Sequence, residues 1–250
     1  MTYPDYSYPP RLLARVARDI IFIRRRDFHR DAKACIEHLS PPLQVWERQN
    51  IPQRGPCIVT VNHYHRTGFG AQWLALAVAA IVPVPMRWII TAEWTYPDKW
   101  YRTVVTSGSR LLLKRIAQIY DFTTMPPMPP RPADVEARAA SVRAVLDYVR
   151  RTRDPVLGLA PEGYDPPSGA LTTPAPGLGR FALLLSKAGL VFVPVGAYEK
   201  DGAFQLRFGA PYPLSVRNDL SADEKDRCAM QIIMKNIACL LPFELRGEFA

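Results

Sequence analysis

PCIVTVN, residues 56–62, followed by HYHRTG, residues 63–68, is the stretch that decides the fold. From Cys57 to Val61 every residue is apolar or β-branched and none is charged. That composition predicts a short strand buried on both faces, as in a parallel sheet. The polar turn His63–Gly68 follows it directly. In sheets of this kind, ligands bind beyond the carboxyl ends of the strands.

Working outward, strands and helices alternate. Ala71–Ile81 is apolar all round and predicts a buried helix. Met86–Thr91 reads as a second strand and Gln118–Thr123 as a third. Pro126, Pro127, Pro129, Pro130 and Pro132 mark a stiff surface loop. Asp134–Arg153 predicts a helix, because Val135, Ala139, Val142, Leu146 and Val149 recur at helical spacing. Val156–Ala160 is a strand that runs into PEGYDPPSG, residues 161–169. Gly177–Ala188 is a helix with Gly189 as its C-cap. Leu190–Ala197 and Phe204–Phe208 read as strands joined by an Asp201-Gly202 turn. Ser221 to Glu224 form a capping box that opens a last helix running to about Leu240. The expected fold is α/β, a mainly parallel sheet flanked by helices on both faces.

Before this pattern stands a different segment. RLLARVARDIIFIRRR, residues 11–26, places Leu12, Val16, Ile20 and Ile23 on one helical stripe, with arginines mostly elsewhere. Such a basic amphipathic helix can lie on an anionic bilayer or pack on its own domain. Residues 1–42 are therefore read as an N-terminal extension and residues 43–250 as the α/β domain.

The chain has 250 residues with 32 lysines and arginines against 23 aspartates and glutamates, a net charge of +9. That surplus favours an anionic partner. The arginines do not cluster with aromatics in an RNA-binding signature, so no nucleic acid is expected. Cys35, Cys57, Cys228 and Cys239 form no CxxC pair, so free thiols and no metal are expected. The start MTYPDYSYPP is not a secretory signal. The longest charge-free run, Thr67–Met86, is broken by Gly68, Gly70, Pro83 and Pro85, so no spanning helix is predicted.

Two polar turns carry the candidate chemistry. His63, just past a strand, can take a proton from an alcohol as its oxygen attacks a carbonyl. In the other turn, Glu162 can hydrogen-bond substrate hydroxyls, and Gly163 permits close backbone approach.

Together and in this order, the blocks resemble the glycerophospholipid acyltransferase family. Ile58–Gly68 resembles its first motif, Asn-His-x4-Asp. GLAPEGYDPPSG, residues 158–169, resembles its third, Phe-Pro-Glu-Gly-Thr-Arg-Ser. GLGRFALLLSKAGLVFVPV, residues 177–195, resembles its fourth, with Pro194 at the end of a strand. The resemblance covers roughly Leu43–Pro213. It implies a glycerol-3-phosphate acyltransferase-like fold and transfer of a fatty acyl group from acyl-CoA or acyl-ACP to a hydroxyl of a lysophospholipid or related acceptor. Carried over, His63 is the general base, and Glu162 with Gly163 forms the acceptor-binding turn. No cofactor is bound, and the acyl thioester is a co-substrate. The chain would be cytoplasmic and peripheral on the inner face of a membrane, with anionic lipid as partner. The pattern also departs from the family. Gly68 fills the aspartate slot, and Tyr164 and Asp165 stand where threonine and arginine usually are. Arg66 is expected to supply part of the anion binding, and Glu93 or Asp98 to replace the missing acid partner. The alternative implied by those departures is a catalytically impaired lipid- or acyl-binding protein on the same fold.

Overall fold

The computed structural model describes residues 3–94, 102–128, 130–164, 166 and 168–250. Among them, seven strands form one sheet: β1 (Gln44–Trp46), β2 (Cys57–Val61), β3 (Arg87–Thr91), β4 (Thr123–Met125), β5 (Val156–Leu159), β6 (Val191–Lys200) and β7 (Ala203–Phe208). Their order across the sheet is β1-β7-β6-β2-β5-β3-β4. Every pairing is parallel except β6 with β7. That hairpin turns through Asp201 and Gly202, both at positive φ (52° and 76°), as a two-residue hairpin turn requires.

The connections explain the layers. Helix α1 (Pro10–Phe22) and α2 (Phe28–Ile36) precede the sheet. Helix α3 (Gln72–Ile81) joins β2 to β3, and α4 (Arg102–Tyr120) joins β3 to β4. Both of those steps move toward the β4 edge. Helix α5 (Val135–Arg151) joins β4 back to β5, and α6 (Leu178–Lys187) joins β5 to β6. A parallel crossover is right-handed, so reversing direction along the sheet moves the connecting helix to the other face. The packing agrees: α2 lies on α3 and α1 on α4, whereas α6 meets both α5 and α7 (Ala222–Ala238).

All five residues of β2 are buried, as expected for a central strand covered on both faces. The core around it holds Trp73, Leu157, Phe192, Phe204 and Phe208, each almost fully buried. Residues before position 43 enter the same core through Leu12, Ala32, Cys35, Ile36 and Leu39. All four cysteines are free, and burial raises the thiols of Cys35 and Cys57 to about 11.

Three local expectations need correction. Residues 118–120 end helix α4 and are not strand, and β4 begins only at Thr123. The buried face of α4 includes Ser109, Leu113, Ala117 and Ile119, so two of these four positions are small and weaken the helical stripe. Pro194 is paired with Thr60 well inside β6, which continues to Lys200. Arg26, one of the arginines read as mostly away from the apolar stripe, is largely buried at 11% exposure because Asp19 and Asp31 satisfy its guanidinium.

Candidate active site

Strands β2 and β5 are neighbours, yet the helices that follow them, α3 and α6, lie on opposite faces. This is the switch point of the sheet, where the two following loops separate and a crevice opens. His63 follows β2 there and Glu162 follows β5.

Asn62 fixes the exit from β2. Its side chain donates to the Ala197 carbonyl at 2.9 Å and accepts from the Ala197 N–H at 2.7 Å. The buried amide thus continues the pairing with β6 one residue beyond the last backbone register, Val61 with Val195. The chain then turns, and the His63 N–H donates to Glu162 Oε2 at 2.6 Å. The other oxygen, Oε1, accepts from the Thr172 N–H at 3.1 Å. Glu162 has no solvent exposure, while His63 is partly exposed at the crevice. A buried carboxylate must be met by donors, and here main-chain amides from two loops converge on it.

Glycine suits the backbone at two positions of the site. Gly163 is exposed with φ +73°, and a Cβ there would lie 2.7 Å from Met128 Cγ. Only a residue without a side chain turns the chain so tightly beneath the loop after β4. Gly68, in the slot where the resemblance places an aspartate, has φ +83°. That backbone shape favours glycine over any carboxylate-bearing residue.

The far half of the His63 turn is held from the other neighbouring strand. Glu199, at the carboxyl end of β6, is a buried carboxylate. Arg66 donates to it through Nε, and through Nη2 at 2.8 Å, and its Nη1 donates to the Thr67 carbonyl at 2.8 Å. The hydroxyls of Tyr6 and Tyr64 complete the carboxylate at 2.8 and 3.1 Å. The Arg66 guanidinium also lies 3.7 Å from the centre of the Tyr3 ring. Arg66, expected to meet an outside anion, is thus tied within the chain, and its hydrogen bonds with Glu199 raise its pKa further.

Glu93, expected as an acid partner of His63, is 3% exposed just past β3. It accepts from Arg110 Nε at 2.9 Å and from Arg131 Nη2 at 2.8 Å. Burial raises its pKa, but the hydrogen bonds from Arg110 and Arg131 more than offset this, so Glu93 titrates below the ordinary glutamate value. Asp98, the other expected acid partner, and Asp165 lie outside the described residues. Among the described residues, the Glu162 carboxylate meets the main chain of residue 63.

Sequence reasoning missed Glu199, Asn62 and Thr172. Glu199 lies 133 positions from Arg66, and Asn62 lies 135 from Ala197, so no local pattern links them. The available signal was a glutamate four residues past Val195, at the end of a run of buried residues.

No protein-family model matches the sequence, and no curated protein sequence matches it. Among solved structures, the chain is similar to the 1-acyl-sn-glycerophosphate (LPA) acyltransferase PlsC from Thermotoga maritima. The TM-score is 0.51 at 13% identity, over 89% of this chain and 80% of that one. At that identity the likeness is one of fold. The chain has the α/β fold of that acyltransferase, with a mainly parallel seven-stranded sheet at its centre.

Proposed function

We propose that this protein is an O-acyltransferase that moves a fatty acyl group from an acyl thioester to a hydroxyl of a lysophospholipid or related acceptor. His63 is the general base. Its imidazole takes the hydroxyl proton as the acceptor oxygen attacks the thioester carbonyl. When the carbon–sulfur bond breaks, the imidazolium returns that proton to the departing thiolate, leaving an ester and a free thiol. Acyl-CoA or acyl-ACP serves as donor.

The observation that carries this reading is the joining of His63 to Glu162 at the switch point between β2 and β5. Glu162 is buried and bound by main-chain donors, so in this reading it is a positioning residue that also takes over the missing acid partner's place. A carboxylate beside the turn stabilises the imidazolium that forms during transfer. The exposed Gly163 edge presents main chain to the acceptor. Arg66 acts through the turn it braces. The likeness to an LPA acyltransferase in fold supports the same reaction class.

The acceptor comes from a membrane surface, with the protein peripheral on the inner face. Helix α1 supports this by exposing Leu13, Ile21 and Phe22 beside its arginines. None of the described helices is long and apolar enough to cross a membrane.

The test is to incubate purified protein with lysophosphatidate vesicles and acyl-CoA or acyl-ACP carrying a labelled acyl chain. Labelled diacyl product is expected from at least one donor. One observation favours the second reading, a lipid-binding protein without turnover: Gly68 stands at positive φ where a carboxylate is expected. Saturable lipid binding with no labelled product from either donor establishes that reading and rejects the first.

A further inference from the structure

The end of the sheet opposite His63 carries a separate cluster of positive charge. Arg25 pairs with Asp121 at 3.0 Å, and Asp121 also pairs with Arg87. Arg87 is the first residue of β3, and Asp121 lies just before β4. The junction of α1 and α2 therefore sits at the amino ends of the strands, whereas His63 and Glu162 sit past the carboxyl ends.

At this junction a cleft of about 350 Å³ opens between the two helices, lined by Arg15, Arg18, Arg25, Arg26 and Arg30. Arg26 forms its floor, with Nε and Nη2 on Asp31 at 2.6 and 2.7 Å and Nη1 on Asp19. Arg18 shares Asp19 at 2.9 Å. Asp27 is engaged as the cap of α2, accepting from the Arg30 N–H at 3.1 Å. Among the described residues, Arg15 and Arg30 pair with no carboxylate, and both are exposed. The five arginines thus stand against Asp19, Asp27, Asp31 and, through Arg25, Asp121, and the two unpaired ones stand on opposite walls. Arginine forks suit the oxygens of a phosphate.

Beside the cleft, the end of α1 exposes Ile21, Phe22 and Ile23 at 68%, 64% and 45%. Arg24 lies 5.6 Å over the Phe22 ring. An apolar tip next to an arginine-lined hollow matches the boundary between acyl chains and anionic headgroups. We propose that this cleft binds the phosphate of an anionic lipid headgroup while Ile21 and Phe22 enter the bilayer interface. The helix linking the two ends is 13 residues long, about 20 Å at the α-helical rise. Its start adjoins Tyr8, which stacks on Trp73, and Tyr6, whose hydroxyl donates to Glu199 beside the His63 turn. One membrane plane along α1 therefore reaches both the cleft and the rim of the crevice. The inference extends the lipid-directed reading above and rests on it only for the choice of a lipid as ligand.

The test is flotation of the full chain with phosphatidylcholine vesicles, with and without phosphatidate, over a range of salt. Binding is expected only with phosphatidate and is expected to weaken with salt. In Arg15→Gln/Arg30→Gln, which breaks no ion pair, affinity should fall about 30-fold, from the worth of two arginines at an anionic surface. Ile21→Ser/Phe22→Ser should weaken vesicle binding as well. His63→Ala should float like the wild type, so loss of acyl transfer leaves this result untouched. Unchanged flotation of the double arginine variant overturns the proposal, as does equal binding to both vesicle types. Binding of inorganic phosphate in the cleft without any vesicle binding overturns it too, in favour of a soluble ligand.

Discussion

Two buried glutamates flank the turn after β2, and they are held in different ways. Glu199, from β6, takes the Arg66 guanidinium and two tyrosine hydroxyls, so its charge is matched by a cation and its four contacts are side chains. Glu162, from the loop after β5, takes main-chain N–H groups of His63 and Thr172. The first arrangement locks Tyr64 and Arg66 in place. The second puts a carboxylate against the main chain of His63, a partly exposed residue. One flank is braced by a side-chain cation, and in the proposed mechanism the other sets a carboxylate beside the residue that takes up the proton.

Changing each flank tests that division. The largest effect on stability is expected from Arg66→Met. Removing one partner of a buried pair leaves Glu199 charged without its cation, at a cost of about 3 kcal/mol. Urea midpoints would show it. If Glu199 is an anchor only, Arg66→Met combined with Glu199→Gln should recover much of the loss, because no uncompensated charge remains. Glu162→Gln should act mainly on turnover. The amide keeps the size of the side chain but not its charge, and a shifted turn can cost on the order of 10²-fold in rate. A kcat drop with an unchanged KM for the acceptor would fit a positioning residue, and a KM change alone would move Glu162 to acceptor binding.

Glu93 gives the smallest expected effect and serves as a control away from the turn. Its folded pKa is depressed below the ordinary 4.5 by Arg110 and Arg131 despite burial. Its contribution is therefore fully present above pH 4.5 and is lost as pH falls through the folded value. Glu93→Gln should cost about 1 kcal/mol at neutral pH. The gap between its urea midpoint and that of the wild type should close as the pH drops below 4.5. A gap that persists unchanged at low pH would show that the two arginines do not stabilise the charged form.

Much of the frame was legible before any coordinates. The central strand, the β6–β7 hairpin, helix α5 and the capped helix α7 each carry a local signal: an apolar run, an Asp-Gly turn, a helical stripe, a capping box. Helices α2 and α4 were not read because Asp31 and Ser109 interrupt the apolar stripes that Ile36, Leu113 and Ile119 otherwise form on their buried faces. β1 and β4 have three residues each, too few for a period to show. The meeting of the His63 and Glu162 turns was legible through motif order. Their surroundings were not, because Asn62 meets Ala197 and Arg66 meets Glu199 only after the chain has crossed the sheet. Likewise Glu93 stood at a plausible place for an acid partner, but only folding reveals that two arginines occupy it.

Acyl transfer at the switch point is tested most directly by comparing turnover of wild-type protein and His63→Ala with the same acyl thioester and lysophospholipid, after thermal melts show both to be folded. Wild-type protein should form ester product, and His63→Ala should lose on the order of 10²- to 10⁴-fold in rate, the usual share of a general base. Equal rates in the two proteins would contradict the assignment of His63 as the base.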